Sequence, residues 1–294
     1  MKKIFSLVII TFLFINISAQ TEEEAKPEPK AWELKGTTGL NFSQTSLTNW
    51  SAGGDNSVAG NAYLNGSLIH RSGDWLWENN LALEYGLTYT GSDGTQKSAD
   101  KIEFSTQLGY STDKKWYYTV MADFKSQFYK GYNYPNKEHY ISKFMAPAYS
   151  NISAGMEYRP NEFYSIYFSP VAGKLTFVQD DYLSNQGAFG VDPGDKFMAE
   201  FGTYLKAKAE KTIMENVKVI TKADFFTAYD SSFGNIDVNW DLLISMKINK
   251  YLNASINTSL KYDDDVNYID DKGRTRGPRV QFKEMIGVGI GYSF

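Results

Sequence analysis

From Trp32 to the C-terminal Phe294, apolar or aromatic residues return at every second position, segment after segment, with polar or small residues between them. In the first segment Trp32, Leu34, Gly36, Thr38, Leu40 and Phe42 fall on one side, against Lys35, Thr37, Gly39, Asn41 and Ser43 on the other. A period of two belongs to an extended strand whose faces meet different surroundings, because successive side chains point to opposite sides. The pattern returns over residues 58–68, 75–89, 102–110, 116–128, 152–158, 197–208, 217–229, 236–246, 252–262 and 280–294. It is weaker over 163–177, where Pro170 interrupts it. That makes about twelve strands, each long enough to cross a bilayer when tilted.

The connections alternate in length. Short turns are expected near Arg71, Thr112, Arg159, Glu210 and Asn249, and longer loops between them, including 91–99, the stretch around Pro135 and His139, and the glycine-rich acidic stretch 180–196. An even number of strands with short turns at one end predicts an all-β fold, a single closed antiparallel transmembrane β-barrel. Closure is required because an open edge in lipid leaves backbone N–H and C=O groups without partners, at several kcal/mol apiece by rough estimate.

Composition agrees. Tyr, Phe and Trp make up 16% of the chain, amid plentiful Asn, Ser, Thr and Gly, which suits strands with one face toward lipid and one toward water. Trp32, Trp75, Trp77, Trp116, Tyr251, Tyr292 and Phe294 gather at the short-turn ends, where an interfacial girdle belongs. Lys2 and Lys3 precede an apolar run over 4–17 that ends in Ser18, Ala19 and Gln20, the order of a secretory signal peptide. The expected organisation is a signal peptide over 1–20, a flexible periplasmic leader over 21–30 and the barrel over 31–294. With no cysteine, disulfides, thiolate metal sites and a lipidation cysteine are excluded. The net charge of -4 and scattered cations lack the basic stripe of a nucleic-acid binder, so no nucleic acid is expected as a partner.

The ending Gly291-Tyr292-Ser293-Phe294 resembles the terminal strand signal read by barrel-assembly machinery. Together with the strand before Asn49, the block LKYDDD at 260–265 and the ending VQFKEMIGVGIGYSF at 280–294, it resembles a Bacteroidota family of outer-membrane barrels described only as a domain of unknown function. That resemblance implies the cell outer membrane of a Gram-negative bacterium and brings no catalytic or binding residues. Expected partners are outer-membrane lipid, the assembly machinery during insertion and other outer-membrane proteins.

Catalytic chemistry finds little footing. His70 and His139 are the only histidines; His70 is expected on the lipid-facing parity beside a short turn, and His139 in a long loop without a neighbouring motif. Asp263 to Asp265, and Asp270 with Asp271 before Gly273, invite calcium, but their spacing does not match a twelve-residue calcium loop, and a solvated external loop is expected instead. No cofactor or metal is expected. Function is left to the inward rows and one loop. The lumen candidates are Glu84, Asp123, Lys125, Glu157, Lys206, Lys222, Asp224, Asp241 and Lys261, with balanced signs. In the loop NWSAGGDNS the candidates are Trp50, Gly53, Gly54 and Asp55, expected at the first external reversal. These features predict a structural or assembly-partner barrel without catalytic activity, or alternatively a passive small-solute channel with weak charge selectivity.

Overall fold

The computed structural model describes residues 32–46, 56–111, 113–230, 232–269 and 274–294. The expected signal peptide, the leader and the loop candidates Trp50, Gly53, Gly54 and Asp55 lie outside the described residues.

The chain winds as a meander of 12 antiparallel strands that closes on itself, each strand paired with its sequence neighbours and the last with the first. The strands are β1 (Trp32–Thr45), β2 (Ser57–Ser72), β3 (Trp75–Thr90), β4 (Gly94–Tyr110), β5 (Trp116–Ser126), β6 (Ala148–Tyr158), β7 (Tyr164–Phe177), β8 (Phe197–Met214), β9 (Val217–Ala228), β10 (Asp237–Lys247), β11 (Leu252–Tyr262) and β12 (Gln281–Ser293). The period of two becomes an apolar exterior: Leu40, Val120, Ile152, Phe168, Val288 and Ile290 are all exposed. At the short-turn end, Trp32 stacks on His70 at 4.4 Å, Trp75 packs on Tyr110 at 5.0 Å and Trp116 on Tyr158 at 4.5 Å.

The short turns are fixed by one recurring device. Asp113, Asn161 and Asn249 each accept two backbone N–H groups, two and three residues on, through a single side-chain oxygen. The amides of Trp116 and Lys115 hold the Asp113 carboxyl below its ordinary value. Asn216, at φ 64°, takes the left-handed conformation in the tight reversal between β8 and β9. That turn lies at Glu215–Asn216 and not near Glu210, because β8 runs on to Met214 and Glu210 stays on the inner face, paired with Lys208 and Lys218.

Two further expectations about connections are corrected. Residues 91–99 are mostly strand: β4 begins at Gly94, and only 91–93 turn. Polar side chains above the apolar band hide the period there, and the loop 127–147 braces the hairpin, with the Tyr134 hydroxyl accepting from Lys97 N and the Lys137 ammonium bonding Thr95 O. The stretch 180–196 holds a short helix, α1 (Asp181–Ser184), capped by Asp180, and a small core of Ala146, Val178, Leu183 and Val191. Burial alone would raise the Asp180 carboxyl, but the Lys143 ammonium, the Leu183 amide and the Tyr140 hydroxyl outweigh it and hold the group low. Pro170 is the site of a bulge. Pro170 and Val171 both face outward, and the pairing of β7 slips by one residue against β6 and β8, which lets a residue without an N–H sit in a closed sheet.

Candidate functional site

The lumen is lined by the alternate residues of all 12 strands. Neighbouring strands set opposite charges side by side on this inner face: Glu84 lies opposite Lys101, Glu103 opposite Lys125, Lys206 opposite Asp224, Lys222 opposite Asp241, and Lys174 opposite Glu200. Opposite signs across a pair stabilise the sheet and neutralise the wall locally.

The walls differ in how they are filled. On β5 through β8 many inner residues are buried: Tyr117, Thr119, Met121 and Asp123, then Ser153 and Glu157, Tyr167, Ser169 and Ala172, and Tyr204. Met121, Tyr167, Ala172, Tyr204, Phe226 and Ala228 form an apolar cluster inside the barrel. On β10, β11, β12 and β1 most inner residues are small or polar and half-buried, among them Ser245, Asn253, Ser255, Asn257, Gly287 and Thr37, with Leu243 and Met285 the larger apolar members and Asp237 buried. Bulky side chains therefore pack one wall of the lumen, while smaller and less buried residues line the other.

Each lumen candidate has a place in this arrangement. Glu84 accepts from Asn61 Nδ2 at 2.7 Å. Asp123, buried, accepts from the Asn151 backbone N at 3.2 Å and its side-chain Nδ2 at 3.0 Å. Lys125 crosses the lumen to Asp224 at 3.4 Å, and the Tyr204 hydroxyl donates to the same carboxylate at 2.8 Å. Glu157 accepts from Gln107 Nε2 at 2.5 Å and from Arg159 at 2.9 Å. Lys206 reaches the Met121 sulfur at 3.6 Å. Lys222 on β9 and Asp241 on β10 face each other on neighbouring strands, and Lys261 stands exposed at the long-loop end of β11.

Two hubs were not among the candidates. Near the short-turn end, Arg159 makes a forked contact to Glu78, both bonds 2.8 Å, and holds Glu157 as well. Near the other end, the buried Lys174 ammonium meets Asp237 at 2.5 Å, Glu200 at 3.2 Å, Asp263 at 3.3 Å and Asp265 at 3.9 Å. Asp263 and Asp265, expected in a solvated loop, are therefore folded onto a cation of the wall. Asp270 and Asp271 lie outside the described residues. His139 stacks against Tyr182 at 5.9 Å. Among the described residues no group of three or more His, Asp or Glu side chains is placed to hold a metal ion.

A family model described as a protein of unknown function (DUF3078) matches residues 42–132, from the end of β1 into the loop after β5. No curated protein matches the sequence. Among solved structures the chain is similar to an outer membrane channel from Pseudomonas putida F1, at 9% identity and a TM-score of 0.42, over 94% of this chain and 100% of that one. It is also similar to the translocator domain of the autotransporter NalP from Neisseria meningitidis, at 9% identity and a TM-score of 0.36, over 92% and 90% of the two chains. Outer membrane phospholipase A from Escherichia coli is similar at 11% identity and a TM-score of 0.34, over 88% and 96%.

Proposed function

We propose that the barrel spans the outer membrane and passes small polar solutes passively along its less packed side, with weak charge selectivity and without catalysis. The observation that carries this is the contrast between the packed wall of β5–β8 and the half-buried wall of Ser245, Asn253, Ser255 and Asn257. Balanced charges, paired across neighbouring strands, leave no ring of one sign to select strongly for cations or anions. Of the two functions the sequence leaves open, a purely structural barrel has no use for an inner wall of small, half-buried hydrophilic residues opposite a packed one. The signal peptide over 1–20 is assigned to export, and Phe294 to recognition by the assembly machinery.

Single-channel recording in planar bilayers tests the passage. Ser255→Trp should lower conductance severalfold by adding bulk to the less packed side, while heat-modifiable gel migration shows the barrel intact. An unmodified barrel without conductance would return the assignment to a structural or assembly role. The membrane placement has its own test. Val120→Arg, on the exposed outer face, should destabilise by about 2–4 kcal/mol in refolding titrations, and Asn257→Arg, facing the lumen, by much less. The reverse ranking would mean that the outer face does not meet hydrocarbon.

A further inference from the structure

The barrel closes over only part of its height. β1 and β12 pair from the mutual bonds of Gly36 and Phe294 to the pair Asn41↔Gly289. Beyond that point, among the described residues, Phe42–Thr45 pair with β2 alone and Gln281–Val288 with β11 alone. Every other neighbouring pair of barrel strands is joined through nine or more residue pairs, against five in this seam together with the Gly36–Phe294 bonds. Val288 and Ile286 sit in the apolar outer band, so the two facing edges stop pairing where hydrocarbon would surround them.

A groove of about 720 Å³ lies over this seam and the strands beside it. That volume lies within the roughly 300–1,000 Å³ of small-molecule sites. Its wall is mostly outer face, from Tyr85 and Leu87 on β3 past Leu40 and Phe42 to Val288, and Asn41, Asn61 and Gly289 bring residues of the lumen parity to it. Asn61 is 9% exposed, and its amide nitrogen is committed to the Glu84 carboxylate at 2.7 Å, which fixes the amide's orientation. Its Oδ1 is buried and has no hydrogen-bond partner among the described residues. An acceptor in that state calls for a donor.

We infer that this seam is a side portal that takes a single-chain amphiphile with a hydroxyl head from the outer leaflet. The alkyl chain lies against Leu40, Phe42 and Val288, and the hydroxyl donates to Asn61 Oδ1. The chemistry follows from the two ends of the groove. Its outer mouth is apolar and would open into hydrocarbon, which excludes a polar solute as the entrant. Its inner end offers an acceptor beside a carboxylate, which disfavours an anionic head. The proposal rests on the membrane-spanning reading above and adds a second route to the axial one.

The test uses the full-length barrel in liposomes and a hexadecanol probe with a photoactivatable group on its chain, with labelled residues located by mass spectrometry. Labelling is expected at Asn41 and Asn61 as well as on the general outer face at Val120 and Ile152. Thr45→Cys with Met285→Cys, in a chain without other cysteines, allows the seam to be bridged by a bifunctional thiol reagent after assembly, so folding is not at stake. Bridging should cut lumen-side labelling by about tenfold or more, leave labelling at Val120 unchanged, and leave ion conductance in place. Asn61→Leu should reduce lumen-side labelling by the alcohol to the level given by its methyl ether. Labelling confined to outward residues, or lumen-side labelling that bridging does not change, would overturn the portal. Lumen-side labelling in a barrel that does not conduct would support the portal and overturn the axial passage instead.

Discussion

Lys174→Met should cost the barrel about 3–5 kcal/mol, the range for removing one partner of a buried charge pair. The ammonium meets the carboxylates of Asp237, Glu200, Asp263 and Asp265 together, and both it and Asp237 are buried. Methionine keeps most of the side chain's length and apolar volume, so the loss reports the charge and not a cavity. Three carboxylates within 3.3 Å of the vanished nitrogen would then repel one another with little water to screen them. The variant should regain stability on acidification. Its assembled state would bind protons more readily than its unfolded chain, and under that condition stability falls as pH rises. Urea refolding followed by heat-modifiable migration, repeated at acid and neutral pH, measures both effects. A loss below about 1 kcal/mol, as for an exposed pair, would mean that water reaches the cluster freely.

The strands were legible because the chain must satisfy two surroundings at once. A residue that faces outward can be read from its neighbour's polarity, so β1, β5, β11 and β12 stand out in the sequence alone. Legibility fails where only one surrounding remains. Lys97, Asp100 and their neighbours extend β4 above the apolar band, where both faces are polar and strand cannot be told from loop. Pro170 and Val171 face outward in succession, which shifts the phase of β7 and weakens the very alternation by which it would be found. The lumen was legible only as a row. Parity says that Lys174, Glu200 and Asp237 point inward, but their meeting depends on curvature, and Lys174 and Asp237 are 63 residues apart. Asp263 carried no signal at all, since a run of three aspartates after a strand ordinarily marks a solvated loop. Nor could parity separate the packed wall from the less packed one. Asn253, Ser255 and Asn257 read as small polar residues in either case, and what sets them apart is that Met121, Tyr167 and Tyr204 cluster on the other wall.

Arg159 is the second residue on which a large loss should fall, and here the order of substitutions matters more than the size. The sequence marks it as a turn residue. In the structure its guanidinium spans Glu78 on β3 and Glu157 on β6, both sequestered inside the barrel, and passes over the Tyr117 ring at 6.0 Å. Glu157 has little else to satisfy it: Gln107 donates to one oxygen, and Arg159 covers the other. Arg159→Met removes the charge and three hydrogen bonds at once and should destabilise by about 3–5 kcal/mol. Arg159→Lys restores the charge but cannot make two parallel bonds to one carboxylate while reaching a second, because a single nitrogen has no fork. It should therefore fall between wild type and Met. Refolding titrations give the order directly. If Lys matched Arg, the contact would be worth only its charge; if Lys matched Met, the forked geometry would account for all of it. Bilayer recordings add a functional reading. Arg159 braces the filled wall near the short-turn end, so a variant that still assembles should show noisier current, with brief openings, as the freed Glu78 and Glu157 side chains move into the passage.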